Sequence, residues 1–241
     1  MVELESHEDS VDNSMSVTLH KIIFVGDASA GKTSIINRII DNPFNDIYEV
    51  SIGIDFMSKN IKFRGQTIKI QIWDSAGQEK YKGLIPSYVR NSSIVFIVYD
   101  VSNRSSFDNI KMWIDFVKNI EKTTMVLCGN KIDLDREVNT NEGEEIAKKE
   151  GIIFFECSAK TNENIKNMFF SSIALLPSFG AYDNSEKENL AKELLEENGE
   201  LSEDGGGGNQ ELVGQPPAKI NVNGEFTSTK KKVVDVNYIN I

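Results

Sequence analysis

Residues 26–33 read GDASAGKT and follow directly on the apolar run HKIIFV at 20–25. The spacing G-x-x-x-x-G-K-T is that of a loop whose backbone N–H groups wrap a phosphate chain. Small residues at Ala28, Ser29 and Ala30 let the chain turn closely, and the whole contact runs from Asp27 to Ser34. In such a P-loop Lys32 reaches the outer phosphates and the Thr33 hydroxyl binds Mg2+. A surface turn would share the small residues. It would not need the buried strand before them or the helical pattern that starts at Lys32. The loop implies a nucleoside triphosphate without saying which base.

The rest of the chain supplies the scaffold that this loop requires. HKIIFV, SIVFIVYD, TMVLCGN and GIIFFEC are short, continuous and rich in β-branched or aromatic residues, and so read as fully buried strands. Helical segments are predicted between them over Lys32–Asp41, Ser105–Ile120, Asn141–Glu150 and Asn164–Leu175. Strand and helix alternating in this way predict an α/β fold, a mostly parallel sheet with helices on both faces. FMSKNIKF and QTIKIQIW differ, because they alternate apolar with polar residues and are joined by Arg64 and Gly65. They predict an antiparallel hairpin at one edge.

Charge separates this core from its flanks. The net charge is −11. Residues 1–18 carry only acids (Glu3, Glu5, Glu8, Asp9 and Asp12), residues 178–241 are strongly acidic, and the stretch between them is balanced. The acidity therefore says nothing about a partner of the core, and no basic face is available for nucleic acid. The expected organisation is an acidic disordered arm over 1–18, one domain over 19–177, and a largely disordered acidic tail over 178–241, with a short charged helix over 184–198. Cys128 and Cys157 lie in apolar runs and read as core residues of a reducing compartment. His7 and His20 have no evident partner for base catalysis, and no zinc spacing occurs. With neither a leader pattern nor a long apolar run, the expectation is a soluble cytoplasmic protein.

Two further loops bear on the base. NKID (Asn130–Asp133) follows the TMVLCG strand and SAK (Ser158–Lys160) follows IIFFEC. Both therefore fall at carboxyl ends of strands, where open α/β sheets bind ligands. The Asp133 carboxylate can accept from both N1–H and the exocyclic amine of guanine, a donor pair that adenine lacks. Asn130, Lys131, Asp133, Ser158, Ala159 and Lys160, placed in order after a P-loop, point to GTP. WDSAGQE (Trp73–Glu79) ends the second hairpin strand. There Asp74 is placed for the Mg2+ shell, Gly77 for an N–H to the γ-phosphate, and Gln78 for orienting an attacking water.

From Lys21 to about Leu176 the chain resembles a Ras-superfamily small GTPase and, within that group, a Rab. The resemblance is carried by IGIDF (52–56), KIQIWDSAGQE (69–79), YKGLIPSYVR (81–90) and IVYDVSNRSSF (97–107). The wording SIGIDFMSK with LIPSYVR is most similar to the Golgi-associated, sixth-numbered Rab subfamily. It implies a six-stranded G domain with one antiparallel edge strand, and a GTP/GDP switch that hydrolyses GTP slowly without a GAP. It also implies exchange factors and effectors in vesicle-mediated transport. By resemblance Phe44 packs on the guanine ring, Tyr48 lies over the phosphates, and Ser51 joins Thr33 and Asp74 around Mg2+. Phe56, Trp73 and Tyr88 match the aromatic triad that Rab effectors read, although each also fits plain core packing. Ser51 and Ser75 stand where the family usually has threonine. Serine keeps the hydroxyl but loses the β-branched stiffness, so a less firmly ordered switch is expected.

Two other readings remain: a Ran-like soluble transport switch, and a non-cycling scaffold locked in one nucleotide state. The tail reads KKKVVDVNYINI from Lys230, with no cysteine after Cys157 to take a prenyl group. Membrane contact is accordingly expected to be indirect, with peripheral association to Golgi or vesicle membranes through protein partners.

Overall fold

The computed structural model describes residues 18–44, 54–75, 85–180 and 183–199. Six strands, β1 (Leu19–Gly26), β2 (Ile54–Phe63), β3 (Gln66–Ser75), β4 (Ile94–Asp100), β5 (Thr124–Asn130) and β6 (Ile153–Glu156), form one sheet in the order β2-β3-β1-β4-β5-β6. Only the β2–β3 pair is antiparallel. Its turn places Arg64 and Gly65 at φ 46° and 77°, the paired positive angles of the tight hairpin turn that matches strand twist.

Both faces of the sheet are covered because the central stretches of the buried strands are apolar on both sides, their polar residues (His20 and Lys21, Asp100, Asn130, Glu156) falling toward the strand ends. Along β1, Ile22 and Phe24 enter one core with α1 (Lys32–Ile39) and α6 (Ile165–Ile173). Ile23 and Val25 enter the other, with α2 (Ile85–Val89), α3 (Arg104–Asp108), α4 (Ile110–Lys118) and α5 (Thr140–Glu150). Phe24 and Phe96, register partners on β1 and β4, stack with ring centroids 4.5 Å apart. The predicted helix over Ser105–Ile120 is divided at Asn109 into α3 and α4. The short α2, with Pro86 in its first turn, lies within YKGLIPSYVR, where no helix was expected.

Past Pro177, a single 3-10 turn leads into α7 (Asn184–Gly199). Asp183 and Glu186 form a reciprocal cap: the Asp183 carboxylate accepts from Glu186 N at 2.9 Å, and Glu186 accepts from Asp183 N at 2.8 Å. Leu190, Ala191 and Leu194 fall on one helical face and are buried in the α1/α6 core. The Asn198 amide pairs with both the N–H and the C=O of Lys62 at 2.8 Å, so α7 covers part of the β2 edge. The Arg64 guanidinium meets both oxygens of Glu193 at 2.7 and 2.8 Å, but this pair is exposed and adds little. The apolar contacts hold the helix. Leu194→Ala is expected to cost about 2–5 kcal/mol in chemical denaturation of the full chain, the range for a fully enclosed leucine. A loss below about 1 kcal/mol would mean that α7 does not pack there.

A candidate nucleotide site

Parallel strands bring their carboxyl ends to one side of the sheet, and the neighbours β3 and β4 on either side of β1 open a crevice there for the loop that leaves Gly26. That loop spans 26–31 and delivers Lys32 and Thr33 on the first turn of α1. Lys32 is 5% exposed, and its Nζ donates to the carbonyls of Gly26 (3.0 Å) and Asp27 (2.8 Å). Burial lowers its pKa to about 8, partly opposed by the nearby Asp74 and Asp27. The Thr33 hydroxyl donates to Asp74 Oδ2 at 2.5 Å, which joins the start of α1 to the end of β3. Next to it, the buried Ser75 hydroxyl donates to the Phe24 carbonyl at 2.7 Å.

Asn130 ties the predicted base loops to the phosphate loop. Its amide donates to Ala30 O at 2.9 Å and accepts from Ala159 N at 3.1 Å. The Ser158 hydroxyl donates to Asp133 Oδ1 at 2.5 Å and accepts from Thr161 N at 3.0 Å. Lys131, at φ 69°, pairs with Asp100 at 2.5 Å while its stem lies beside the phosphate loop. The structure thus joins residues 26–33, Asp74, 130–133 and 158–160 in one hydrogen-bonded group. Phe44 lies half-buried at the edge of this group. Tyr48, Ser51, Gly77 and Gln78 fall outside the described residues. The family model described as the Ras family matches residues 21–177, the span that carries all of these loops.

The chain belongs to the Ras family. Members are small GTPases that bind GTP, GDP and Mg2+ and hydrolyse GTP to GDP, and this protein is therefore a GTP-hydrolysing switch. Its residues fit that chemistry. A hydroxyl and a carboxylate 2.5 Å apart at the foot of the phosphate loop form a hard-oxygen pair suited to Mg2+, and the buried Lys32 supplies a cation.

Several residues that shape the site of this Ras-family protein were not legible as such. The Asp27 side chain turns away from the loop mouth and accepts from Asn109 Nδ2 (2.6 Å) and Trp113 Nε1 (2.8 Å) on the α4 side. The Asp27 carboxylate therefore braces the loop against the helix and leaves its backbone as the part of the residue that can face the loop. Arg38 was missed for want of any motif around it. Among the residues set aside, Cys128 and Cys157 are buried free thiols 3.4 Å apart. The Cys128 contact and burial push the Cys157 thiol well up, in keeping with a core role. His20, at the opposite end of β1, bonds with the hydroxyls of Ser93 (3.1 Å) and Ser178 (2.6 Å).

Lys32 gives a pH test. Its folded pKa lies below the ordinary lysine value, so the unfolded chain binds more protons between about pH 8 and 10.5. The cost of burying the charge, on the order of 3 kcal/mol, is present in full below pH 8 and is relieved as pH rises through that window. Denaturation of the nucleotide-free GTPase is expected to show a stabilising component from pH 8 to 10 that Lys32→Met lacks. Bound GTP, by holding Lys32 charged, is expected to remove this component from the wild-type profile. Parallel pH profiles of the two nucleotide-free proteins would show that Lys32 is not charged and buried.

Proposed function

We propose that this GTPase is a Rab-type switch, cycling between GTP and GDP to recruit effectors in vesicle transport at Golgi membranes from the cytoplasm. The observation that carries the reading is a row of three aromatic rings. Phe56 stacks on Trp73 at 5.5 Å, and Trp73 meets Tyr88 at 5.4 Å. Phe56 is 53% exposed and caps the row, so a partner docking there would meet an apolar ring continuous with two more. The row joins β2, β3 and α2, the elements that border the Ser51 segment and the Gln78 segment. It lies in the same IGIDF, QIWDSAGQE and LIPSYVR stretches whose wording resembles Rabs.

In the proposed reaction, Lys32 and the backbone N–H groups of residues 27–34 neutralise charge that develops on the β- and γ-phosphate oxygens. Gln78 orients the attacking water and the Gly77 N–H approaches the γ-phosphate. Thr33, Ser51 and Asp74 hold Mg2+, which when bound supplies a counter-charge for the phosphates. Asn130, Lys131, Asp133 and the 158–160 loop hold the guanine, with Phe44 against the ring and Tyr48 over the phosphates. Turnover alone is slow, and a GAP, an exchange factor and effectors complete the cycle.

Affinity capture with GTPγS-loaded and GDP-loaded protein, alongside imaging of the tagged chain in its own cell, tests this reading. Vesicle-tethering proteins are expected only in the GTPγS sample. Phe56→Ala is expected to weaken their capture about tenfold without changing nucleotide affinity. Capture of nuclear transport receptors, or capture indifferent to nucleotide, would overturn the Rab assignment.

A further inference from the structure

Arg38 lies on the last turn of α1, outside every loop assigned to the nucleotide. Its Nε donates to the Ala159 carbonyl at 2.8 Å and its Nη2 to the Lys160 carbonyl at 2.9 Å. The guanidinium also lies 5.8 Å from the centroid of the Phe44 ring. We infer that Arg38 is the positioning residue for guanine recognition, setting the orientation of the 158–160 loop from outside the pocket. The inference rests on the reading that 130–133 and 158–160 hold the base.

Peptide geometry carries the argument. In a trans peptide the C=O and the following N–H point in opposite directions. Holding the Ala159 carbonyl toward α1 therefore turns the Lys160 N–H away from α1, as a fixed donor for a 6-oxo group. Holding the Lys160 carbonyl likewise orients the Thr161 N–H, which donates to Ser158 Oγ at 3.0 Å. That hydroxyl in turn donates to Asp133 at 2.5 Å. One guanidinium thus governs a donor for the 6-oxo group and, through two further bonds, the partner of the carboxylate that accepts N1–H and the 2-amine. The fork matters, because two consecutive carbonyls are fixed together by a rigid planar group, whereas a lysine ammonium is a single flexible point. The Phe44 contact makes the same group a brace for the ring expected on the face of the base.

The test compares GDP with nucleotides that lack the 2-amine or, in the 2-aminopurine case, the 6-oxo group together with N1–H. Affinities for GDP, for IDP, which keeps the 6-oxo group, and for 2-aminopurine riboside diphosphate, which lacks it, are measured for the full chain and for Arg38→Met and Arg38→Lys. Wild type is expected to prefer GDP to the 2-aminopurine nucleotide. In Arg38→Met that preference is expected to shrink about tenfold, with GDP and IDP weakened more than the 2-aminopurine nucleotide, which keeps only the 2-amine contact. Arg38→Lys is expected to fall between. A variant that loses affinity for all three nucleotides by one factor would show a merely structural role and overturn the inference, as would an unchanged preference. If wild type itself failed to prefer GDP, the base-site reading would fall, and this inference with it.

Discussion

Asp133→Asn is expected to lower affinity for GTP by a factor on the order of 10⁴ and to raise affinity for xanthosine triphosphate, reversing the order of preference. Asp133 Oδ1 already accepts from the Ser158 hydroxyl at 2.5 Å, and an asparagine can keep that bond through its amide oxygen. The other position then changes from acceptor to NH2 donor. Against guanine this sets donor against donor at the 2-amine; against xanthine it meets a carbonyl. Asp133 is exposed, and its substitution removes no core contact, so stability should move by less than about 1 kcal/mol. Competition titration with GTP and xanthosine triphosphate decides the matter. Unchanged GTP affinity would remove Asp133 from the base site.

The strands were readable because burial on both sheet faces keeps polar residues to their ends, and the edge hairpin because one solvated face restores alternation. β4 is buried at every residue, whereas β3 alternates through Ile68, Ile70 and Ile72. The loops that the structure joins into the candidate site stood out because a nucleotide-binding chemistry would constrain residue type at fixed spacing. What escaped depends on contacts between distant segments. Asn109 and Trp113 meet Asp27 across more than 80 positions, and Arg38 meets Ala159 across 121. Neither pairing leaves a local pattern, because a guanidinium on a helix usually reads as solvated surface. The seating of α7 was hidden for a similar reason: Leu190, Ala191 and Leu194 are few among Glu, Lys and Asn, and their burial depends on a groove made elsewhere.

Gly31→Ala is expected to abolish stable nucleotide binding and to cost about 3–5 kcal/mol of folding stability, from strain and from lost hydrogen bonds. Gly31 sits at φ 91°, ψ 24°, where a side chain is strained by roughly 1–2 kcal/mol whatever the space. Space is also missing, since an added Cβ would lie 2.2 Å from Asn130 Nδ2. Asn130 cannot swing aside cheaply. It is 1% exposed and holds Ala30 O on one side and Ala159 N on the other, so moving it strands buried polar groups at about 1–3 kcal/mol each. The same displacement parts the phosphate loop from the base loop, and the function is lost along with the stability. Gly151→Ala supplies the control. Gly151 ends α5 at φ 66° with no atom near its absent side chain, so only the backbone strain of about 1 kcal/mol applies and nucleotide binding should persist. Denaturation and GDP titration of the two variants together separate strain from collision. If Gly31→Ala bound GDP within tenfold of wild type, the brace through Asn130 would not be what shapes the pocket.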